Sequence, residues 1–200
     1  MAVVLLDLDE VVFPFADAYH QWLLNNGHKG LSWEGLFKYD LDKALGSDNH
    51  DKLAEKFLTD LRTLDVNPIP GSVEGVKKLI NLGGEIMFCS ARFAINEGAA
   101  TRTWVERYFP GYGKRVMLTR DKQLGSKIEK GDVAWMTGAA ALVDDSYEHH
   151  IALPDSCKGV LMKRRDHLPS DSLLPNSKAS FAENWDDVVS HIKAVLAHRV

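Results

Sequence analysis

Cysteine, long apolar runs and excess basic charge are all scarce in this sequence, and each shortage excludes a class of protein. The chain of 200 residues has two cysteines, Cys89 and Cys157, so we expect buried, reduced thiols rather than a disulfide framework. No apolar run approaches the ~18 residues that a membrane-spanning helix requires. A formal net charge of −4 offers no broad surface for nucleic acid or anionic lipid. These features predict a cytoplasmic globular protein that does not bind membranes or extended nucleic acid.

The sequence also lacks the features of a signal peptide and two common nucleotide-binding motifs. The N-terminus lacks the basic region of a secretory signal peptide, and its apolar run soon reaches an acidic residue, Asp7. Neither a G-x-x-x-x-G-K-[ST] loop nor a G-x-G-x-x-G turn occurs. We therefore expect no signal peptide, no nucleoside-triphosphate loop and no dinucleotide-binding fold.

The sequence does contain an apolar run that leads directly into two aspartates. Residues 3–6 are Val-Val-Leu-Leu, and Asp7 and Asp9 follow. An unbroken apolar run predicts a central parallel strand that is buried on both faces. Ligands bind beyond the carboxyl ends of such strands, and two close carboxylates repel each other unless a cation lies between them. The pair therefore indicates a divalent-cation site, although two acids in a simple turn would look the same.

Strand and helix patterns alternate along most of the chain. Apolar strands are predicted at residues 85–89, 116–118, 140–143 and 159–162, and a closing helix at 185–196. This alternation predicts an α/β fold, a three-layer Rossmann-like parallel sheet with helices on both faces. Residues 14–68 have helical periodicity without a strand pattern. We expect them to form a small α-helical cap inserted after the first strand, with 1–13 and 69–200 as the α/β core.

Polar residues follow the predicted strands in a set order along the chain. They are Asp7 and Asp9, Ser90 and Arg92, Lys122, and Asp144 and Asp145. Each alone is typical of a turn, a helix cap or an ordinary surface. Because the carboxyl ends of parallel strands meet at one edge of a sheet, their joint occurrence favours a single site.

These same residues carry a resemblance to a known superfamily. The sequences D-L-D-E-V at 7–11, C-S-A-R at 89–92, T-R-D-K at 119–122 and V-D-D-S at 143–146 resemble the four motifs of the haloacid dehalogenase-like phosphatases. The first motif, the L-T-R-D-K run and the late F-x-x-N-W-D-D at 181–187 are similar to the 5′(3′)-deoxyribonucleotidases. The resemblance implies Mg²⁺-dependent hydrolysis of a small phosphomonoester, with a nucleoside monophosphate as the leading substrate.

The resemblance also implies a role for each motif residue. Asp7 would attack phosphorus and carry an aspartyl-phosphate, and Asp9 would protonate the leaving oxygen and then activate water. The implied phosphate-binding residues are Ser90, Arg92 and Lys122. The implied Mg²⁺ ligands are Asp7, Asp144 and the carbonyl oxygen of Asp9. Asp145 would either orient Lys122 or lie in the outer shell of the metal.

The chain departs from the deoxyribonucleotidase pattern in ways that leave alternatives open. Ala91 and Arg92 replace a typical Ser-Pro pair, and the long segment before Asp144 makes Lys127 a competitor of Lys122. Phe15 or Trp22 could stack on a nucleobase, but aromatic residues at helical spacing are more often core.

Other functions compatible with the motifs are a polynucleotide 3′-phosphatase or another small-metabolite phosphatase. Outside enzymology, a phospho-accepting signalling domain or a silent scaffold would use a similar acidic cluster. The signalling domain places its phosphorylated aspartate on a middle strand, whereas the candidate nucleophile here follows the first strand.

Overall fold

Strands and helices alternate along the part of the chain that the computed structural model describes, which is residues 2–28, 47–60, 65–121, 126–164 and 179–197. The strands are β1 (Ala2–Leu6), β2 (Gly84–Phe93), β3 (Val116–Asp121), β4 (Ser126–Lys127), β5 (Ala141–Asp144), β6 (Lys158–Met162) and β7 (Ala179–Ala182). The α-helices are α1 (Phe15–Asn25), α2 (Ser47–Thr59), α3 (Ser72–Asn81), α4 (Gly98–Tyr108), α5 (Lys130–Thr137), α6 (Glu148–Ile151) and α7 (Trp185–Ala197). A short 3₁₀ helix covers Gly113–Arg115.

The described strands form one sheet in the order β4-β3-β2-β1-β5-β6-β7. Neighbouring strands from β3 to β7 pair in parallel, and the two-residue β4 pairs antiparallel with β3 at one edge. Strand β1 lies between β2 and β5 in the middle of the sheet. The predicted α/β architecture with a parallel sheet is confirmed, and the antiparallel edge strand was not foreseen.

Strand β1 is buried on both faces, as its unbroken apolar sequence predicted. Val4 and Leu6 belong to a large apolar cluster that includes Leu79 of α3 and Ile192 of α7. Leu5 belongs to a second cluster on the opposite face of the sheet. Successive side chains of a strand point to opposite faces, so a strand that is covered by helices on both sides must be apolar throughout.

The second apolar cluster contains both cysteines. Cys89 and Cys157 are buried thiols that pack with Leu5 and with Val133 of α5. Burial raises the pKa of the Cys89 thiol to about 12. These cysteines therefore contribute to the structure as small apolar side chains.

Helix α3 begins at Ser72, one residue earlier than it would if Ser72 were the N-cap. Gly71 is at the N-cap with φ 82°, a left-handed conformation that suits glycine, while Ser72 is the first helical residue. A Cβ on Gly75 would lie 2.3 Å from the Trp185 ring. Glycine at this position lets α7 pack closely on α3.

Two described helices, α1 and α2, lie between β1 and α3. Their aromatic side chains pack together, with the rings of Tyr19 and Phe57 5.4 Å apart and those of Trp22 and Phe57 6.0 Å apart. The same cluster continues to Phe13 and the sheet. Residues 29–46 and 61–64 of the predicted cap lie outside the described residues, so its boundaries remain a prediction. Within the described helices, none has the length and apolar composition to cross a membrane.

Candidate active site

The site lies at the carboxyl ends of the two central strands. Leu6 at the end of β1 pairs with Val143 of β5, and the backbone N–H of Asp7 donates to the Val143 carbonyl oxygen at 2.9 Å. This register brings Asp7 level with Asp144. The two aspartates, distant in sequence, therefore lie side by side because the strands that precede them are neighbours.

Asp145 completes a cluster of three carboxylates. Oxygen atoms of Asp7, Asp144 and Asp145 all lie within 4.8 Å of one another, and all three residues are buried. Carboxylate oxygens at this spacing suit a hard divalent cation. The aspartates therefore fit the metal that the strand-end motif predicted, with the Asp145 carboxylate in a position to be a direct ligand.

A lysine that the sequence analysis did not select lies between two of these carboxylates. Lys130, the first residue of α5, places its Nζ 2.8 Å from Asp7 Oδ1 and 2.5 Å from Asp144 Oδ2. The ammonium group is almost completely buried. Helix α5 begins with a capping box between Glu129 and Asp132, which fixes the position of Lys130 relative to the strand ends.

Of the two lysines considered from sequence, the structure describes only Lys127, which lies outside this cluster. Lys122 lies outside the described residues. Lys127 is 47% exposed, and its Nζ is 3.0 Å from Glu129 Oε1. Lys130 stands only 14 residues before Asp144. The long interval between Lys122 and Asp144 was the feature of the sequence that could have directed attention to it.

Asp144 has two further partners on the segment that follows β5. The backbone N–H of Ser146 donates to Asp144 Oδ1 at 2.9 Å, and His149 Nδ1 lies 2.9 Å from the same oxygen. His149 belongs to the short helix α6, so the segment folds back over the strand end. Its spacing in the chain gave no reason to expect this contact.

Asp145 is held by an arginine from the next strand. Arg164 Nε lies 2.5 Å from Asp145 Oδ2, and both side chains are 11% exposed. Arg164 follows the end of β6, which pairs with β5. Because Arg164 follows a strand of the sheet, the strand-end rule that selected the other site residues applies to it as well.

The chain turns sharply after Asp9. Glu10 has φ 58°, the one positive value among the described non-glycine residues. The turn is closed by the N–H groups of Val12 and Phe13, which donate to the Leu8 carbonyl oxygen at 2.9 and 2.7 Å. Glu10 Oε1 accepts a hydrogen bond from Ala16 N at 2.8 Å and so caps the start of α1.

Asp9 is bound to Arg92 from the end of β2. Arg92 Nη2 is 2.5 Å from Asp9 Oδ1 and Nε is 3.2 Å from Asp9 Oδ2. Ser90 is fully buried beside them, and its Oγ accepts the Arg92 backbone N–H at 3.3 Å. Ser90 lies beyond the end of β1, since Phe88 pairs with Leu6. The strand-end residues thus meet at one edge of the sheet, with Arg92 on Asp9.

Burial and mutual repulsion set the charges in the cluster. Burial is the main reason that the pKa of Asp7 lies well above its ordinary value, and the nearby carboxylates of Asp144 and Asp9 raise it further. Burial and Asp144 raise the pKa of Asp145 to about 6, against the opposing effect of Arg164. For Asp144, Lys130 and His149 outweigh burial and lower the pKa. Burial alone would lower the pKa of Lys130, but Asp144 and Asp7 raise it.

Three buried carboxylates thus share two permanent cations, Lys130 and Arg164. The remaining negative charge can be balanced by a bound divalent cation, which is the usual role of an acidic cluster at a strand end. The arrangement combines carboxylates, a buried ammonium group and a buried hydroxyl. Such a set can bind and neutralise an anionic group such as a phosphate.

Comparison with known protein families gives a match over most of the chain. The family model described as 5′ nucleotidase, deoxy (pyrimidine), cytosolic type C protein matches residues 1–158. No curated protein matches the chain in sequence.

Solved structures share the fold at low identity. A HAD family hydrolase from Deinococcus radiodurans R1, which holds bound phosphate and sodium, is 14% identical with a TM-score of 0.59 over 98% of this chain and 96% of that one. A protein from Lactobacillus delbrueckii subsp. bulgaricus, provisionally described as a phosphoglycolate phosphatase, is 13% identical with a TM-score of 0.62, covering 96% and 99%. A haloacid dehalogenase-like hydrolase from Xanthomonas campestris is 11% identical with a TM-score of 0.55, covering 99% and 97%.

Fold and site together define a phosphatase of the haloacid dehalogenase-like superfamily, as the sequence motifs predicted. Within that class, the chain belongs to the family of 5′ nucleotidases described as deoxy (pyrimidine), cytosolic type C proteins.

Proposed function

We propose that this phosphatase is a Mg²⁺-dependent 5′-nucleotidase that hydrolyses (deoxy)nucleoside monophosphates through an aspartyl-phosphate. The observation that carries the proposal is the position of Lys130 Nζ, 2.8 Å from Asp7 Oδ1 and 2.5 Å from Asp144 Oδ2. A buried ammonium group between a candidate nucleophile and a candidate metal ligand can balance charge as a phosphoryl group is transferred. Neither a phospho-accepting surface nor a silent scaffold requires all of these groups together with Asp9.

The metal would be held by Asp7, Asp144 and Asp145, with the carbonyl oxygen of Asp9 as a further candidate ligand. The acidic cluster fits Mg²⁺, because Mg²⁺ prefers oxygen ligands and a site that also admits water and phosphate. When bound, the ion supplies positive charge that lowers the repulsion between the carboxylates and an incoming phosphate. Asp145 is added to the expected ligands because its oxygen atoms lie within 4.8 Å of those of the other two aspartates.

The protein residues then divide the chemistry. A carboxylate oxygen of Asp7 forms a bond to phosphorus as the bond from phosphorus to the leaving oxygen breaks, and the leaving oxygen keeps that electron pair. Asp9 donates a proton to it, which releases the alcohol. Asp9, now ionised, takes a proton from water as the water oxygen attacks phosphorus. Phosphate leaves, and Asp7 regains its carboxylate.

Ser90 and Lys130 complete the phosphoryl site. The Ser90 hydroxyl, which is buried at the end of β2, would donate to a phosphoryl oxygen. Lys130 would neutralise the charge on the same group. Lys122 stays a predicted phosphate-binding residue, and the exposed Lys127 is a weaker candidate than Lys130.

The family description, which names 5′ nucleotidase, deoxy and pyrimidine, supports a pyrimidine deoxynucleotide as the substrate. A mononucleotide also suits the net charge of −4, which does not favour the binding of a polynucleotide. The cap would cover the leaving group, because residues 14–68 follow the nucleophile motif directly. We therefore place pyrimidine deoxynucleoside 5′-monophosphates first among candidate substrates.

The test is a phosphate-release assay across nucleoside 5′- and 3′-monophosphates, sugar phosphates and DNA ends that carry a 3′-phosphate, with and without Mg²⁺. We expect Mg²⁺-dependent release from nucleoside monophosphates. Asp7→Asn should abolish it, because the amide keeps the shape of the side chain but cannot form the phosphoryl bond. Substantial turnover by a folded Asp7→Asn protein would overturn the covalent mechanism. Preferential release from DNA ends or sugar phosphates would replace the substrate class and leave the mechanism in place.

A further inference from the structure

Arg92 is a buried arginine that makes its ionic contact with Asp9. Its side chain is 3% exposed, whereas that of Asp9 is 31% exposed. The two residues come from different strand ends, 83 positions apart in the chain. A buried guanidinium group needs partners for its N–H groups, and the geometry of these partners limits where it can move.

Two contacts besides that with Asp9 fix the guanidinium group of Arg92. Nη1 donates to Thr101 Oγ1 of helix α4 at 3.1 Å, and Thr101 is fully buried. One face of the group lies over the Phe13 ring, with Cζ 4.7 Å from the ring centroid. Phe13 is itself held edge-on against Trp104, with ring centroids 4.9 Å apart. Arg92 is therefore attached to the core, and Asp9 is the more exposed partner of the pair.

The two contacts with Asp9 differ in length. The contact between Nη2 and Oδ1 is 2.5 Å, and the contact between Nε and Oδ2 is 3.2 Å. The longer contact is the weaker one, so Oδ2 can leave the pair while Oδ1 stays on Nη2. This motion would turn one oxygen of Asp9 toward a bound substrate and keep the other fixed.

We propose that Arg92 is a positioning residue for Asp9, which it holds by one carboxylate oxygen while the other exchanges a proton with the leaving group and then with water. This inference rests on the proposed role of Asp9 in phosphomonoester hydrolysis. It gives Arg92 a different function from the phosphate contact that the sequence motif implied. Besides Asp9, the guanidinium group contacts Thr101 and Phe13, neither of which belongs to the acidic cluster, and this supports the assignment.

The proposal makes the effect of Arg92 depend on the leaving group. A nucleoside leaves as an alkoxide, which needs a proton as the bond to phosphorus breaks. A p-nitrophenolate ion is a stable anion and needs little protonation. Loss of a residue that positions the acid should therefore slow the nucleotide far more than p-nitrophenyl phosphate, whereas loss of a phosphate contact should slow both equally.

The experiment compares kcat/KM for a pyrimidine deoxynucleoside 5′-monophosphate and for p-nitrophenyl phosphate under saturating Mg²⁺, because kcat/KM reports phosphoryl transfer to Asp7 and not the later attack of water, in which Asp9 also takes part. Arg92→Lys keeps the charge but loses the two-point contact. It should lower kcat/KM for the nucleotide by about 10-fold or more and kcat/KM for p-nitrophenyl phosphate by less than about 3-fold, since general acid catalysis contributes about 10²–10⁴ in rate. Asp9→Asn should give a larger split in the same direction.

Two further variants control for structure. Arg102→Gln removes an exposed arginine from the same helix as Thr101 and should leave both substrates unchanged. Thr101→Val keeps the shape of the side chain and removes the acceptor of Nη1, so it should give a smaller split of the same kind as Arg92→Lys. Thr101→Val also keeps the proposal testable if Arg92→Lys does not fold, which far-UV circular dichroism would reveal.

The positioning role of Arg92 would be overturned if Arg92→Lys and Thr101→Val lost equal activity on both substrates while Asp9→Asn gave a clear split. That result would leave the acid role of Asp9 in place. The absence of a split in Asp9→Asn would overturn the acid role of Asp9 and the inference with it. A split in all three variants would support both.

Discussion

At the scale of single residues, Lys130 is the group on which the charge balance of the acidic cluster depends. It is almost fully buried, and its ammonium group contacts both Asp7 and Asp144. An unpaired buried charge is costly, so the carboxylates and the lysine hold one another in place. Removal of Lys130 should thus affect chemistry and stability together.

A comparison of two lysines tests this role. We expect Lys130→Ala to reduce kcat by roughly 10²–10³, the usual effect of losing one preorganised charge beside a transferring group. Lys127→Ala is the matched control, because Lys127 is 47% exposed and lies near the same helix. It should leave kcat unchanged. Steady-state kinetics on the best substrate of the assay would decide, and the opposite order of the two variants would remove Lys130 from the mechanism.

At the scale of elements, the closing helix α7 is tied to the loop that carries the aspartates. Asn184 Oδ1 accepts the N–H groups of Asp186 and Asp187 at 2.9 and 3.1 Å and so caps the helix. Trp185 Nε1 then donates to the Val11 carbonyl oxygen at 3.0 Å. The N-W-D-D sequence near the C-terminus therefore supports the turn after Asp9, far from it in the chain.

The helices between β1 and α3 provide a test of whether Trp22 belongs to the core or to a nucleobase site. Trp22 is 6% exposed and packs against Tyr19 and Phe57. We expect Trp22→Ala to lower the free energy of unfolding by about 3–5 kcal/mol, as for other buried tryptophans. Urea denaturation followed by circular dichroism would measure it.

Trp135 is the matched control for this variant, because its side chain is 74% exposed. Trp135→Ala should change the free energy of unfolding by no more than about 0.5 kcal/mol. If Trp22→Ala left stability unchanged and raised KM for a nucleotide but not for p-nitrophenyl phosphate, Trp22 would be a base-stacking residue instead.

At the scale of the whole molecule, the acidic cluster couples folding to metal binding. The carboxylates meet only when β1 and β5 are paired, so Mg²⁺ should bind the folded chain far better than the unfolded one. At a concentration 100 times Kd, such binding adds about 2.7 kcal/mol, which for a chain of this size raises Tm by roughly 5–10 °C.

Asp7→Asn should abolish most of this shift, because it removes a ligand and part of the negative charge that attracts the ion. Without Mg²⁺, the same variant should be at least as stable as the parent, since three buried carboxylates repel one another. Thermal denaturation with Mg²⁺ and with a chelator would measure both effects. An equal Mg²⁺ shift in the parent and in Asp7→Asn would place the bound ion elsewhere.

The amino-acid sequence alone determined the α/β class, the order of the main strands and helices, and the positions of Asp7, Asp9, Ser90 and Asp144 at strand ends. These features follow from local patterns, because apolar periodicity and strand-end polarity are properties of short segments. The short strands β4 and β7 and the helix α6 were missed, since a few residues give too little periodicity to recognise.

Only the tertiary structure decided which side chains meet. Lys130 lies in a polar segment that looks like an ordinary helix start, yet the packing of α5 brings its Nζ between Asp7 and Asp144. Arg92 and Asp9 are joined in the same way across 83 residues. Contacts of this kind depend on strand register and helix packing, which bring distant segments together and leave no trace in the local sequence pattern.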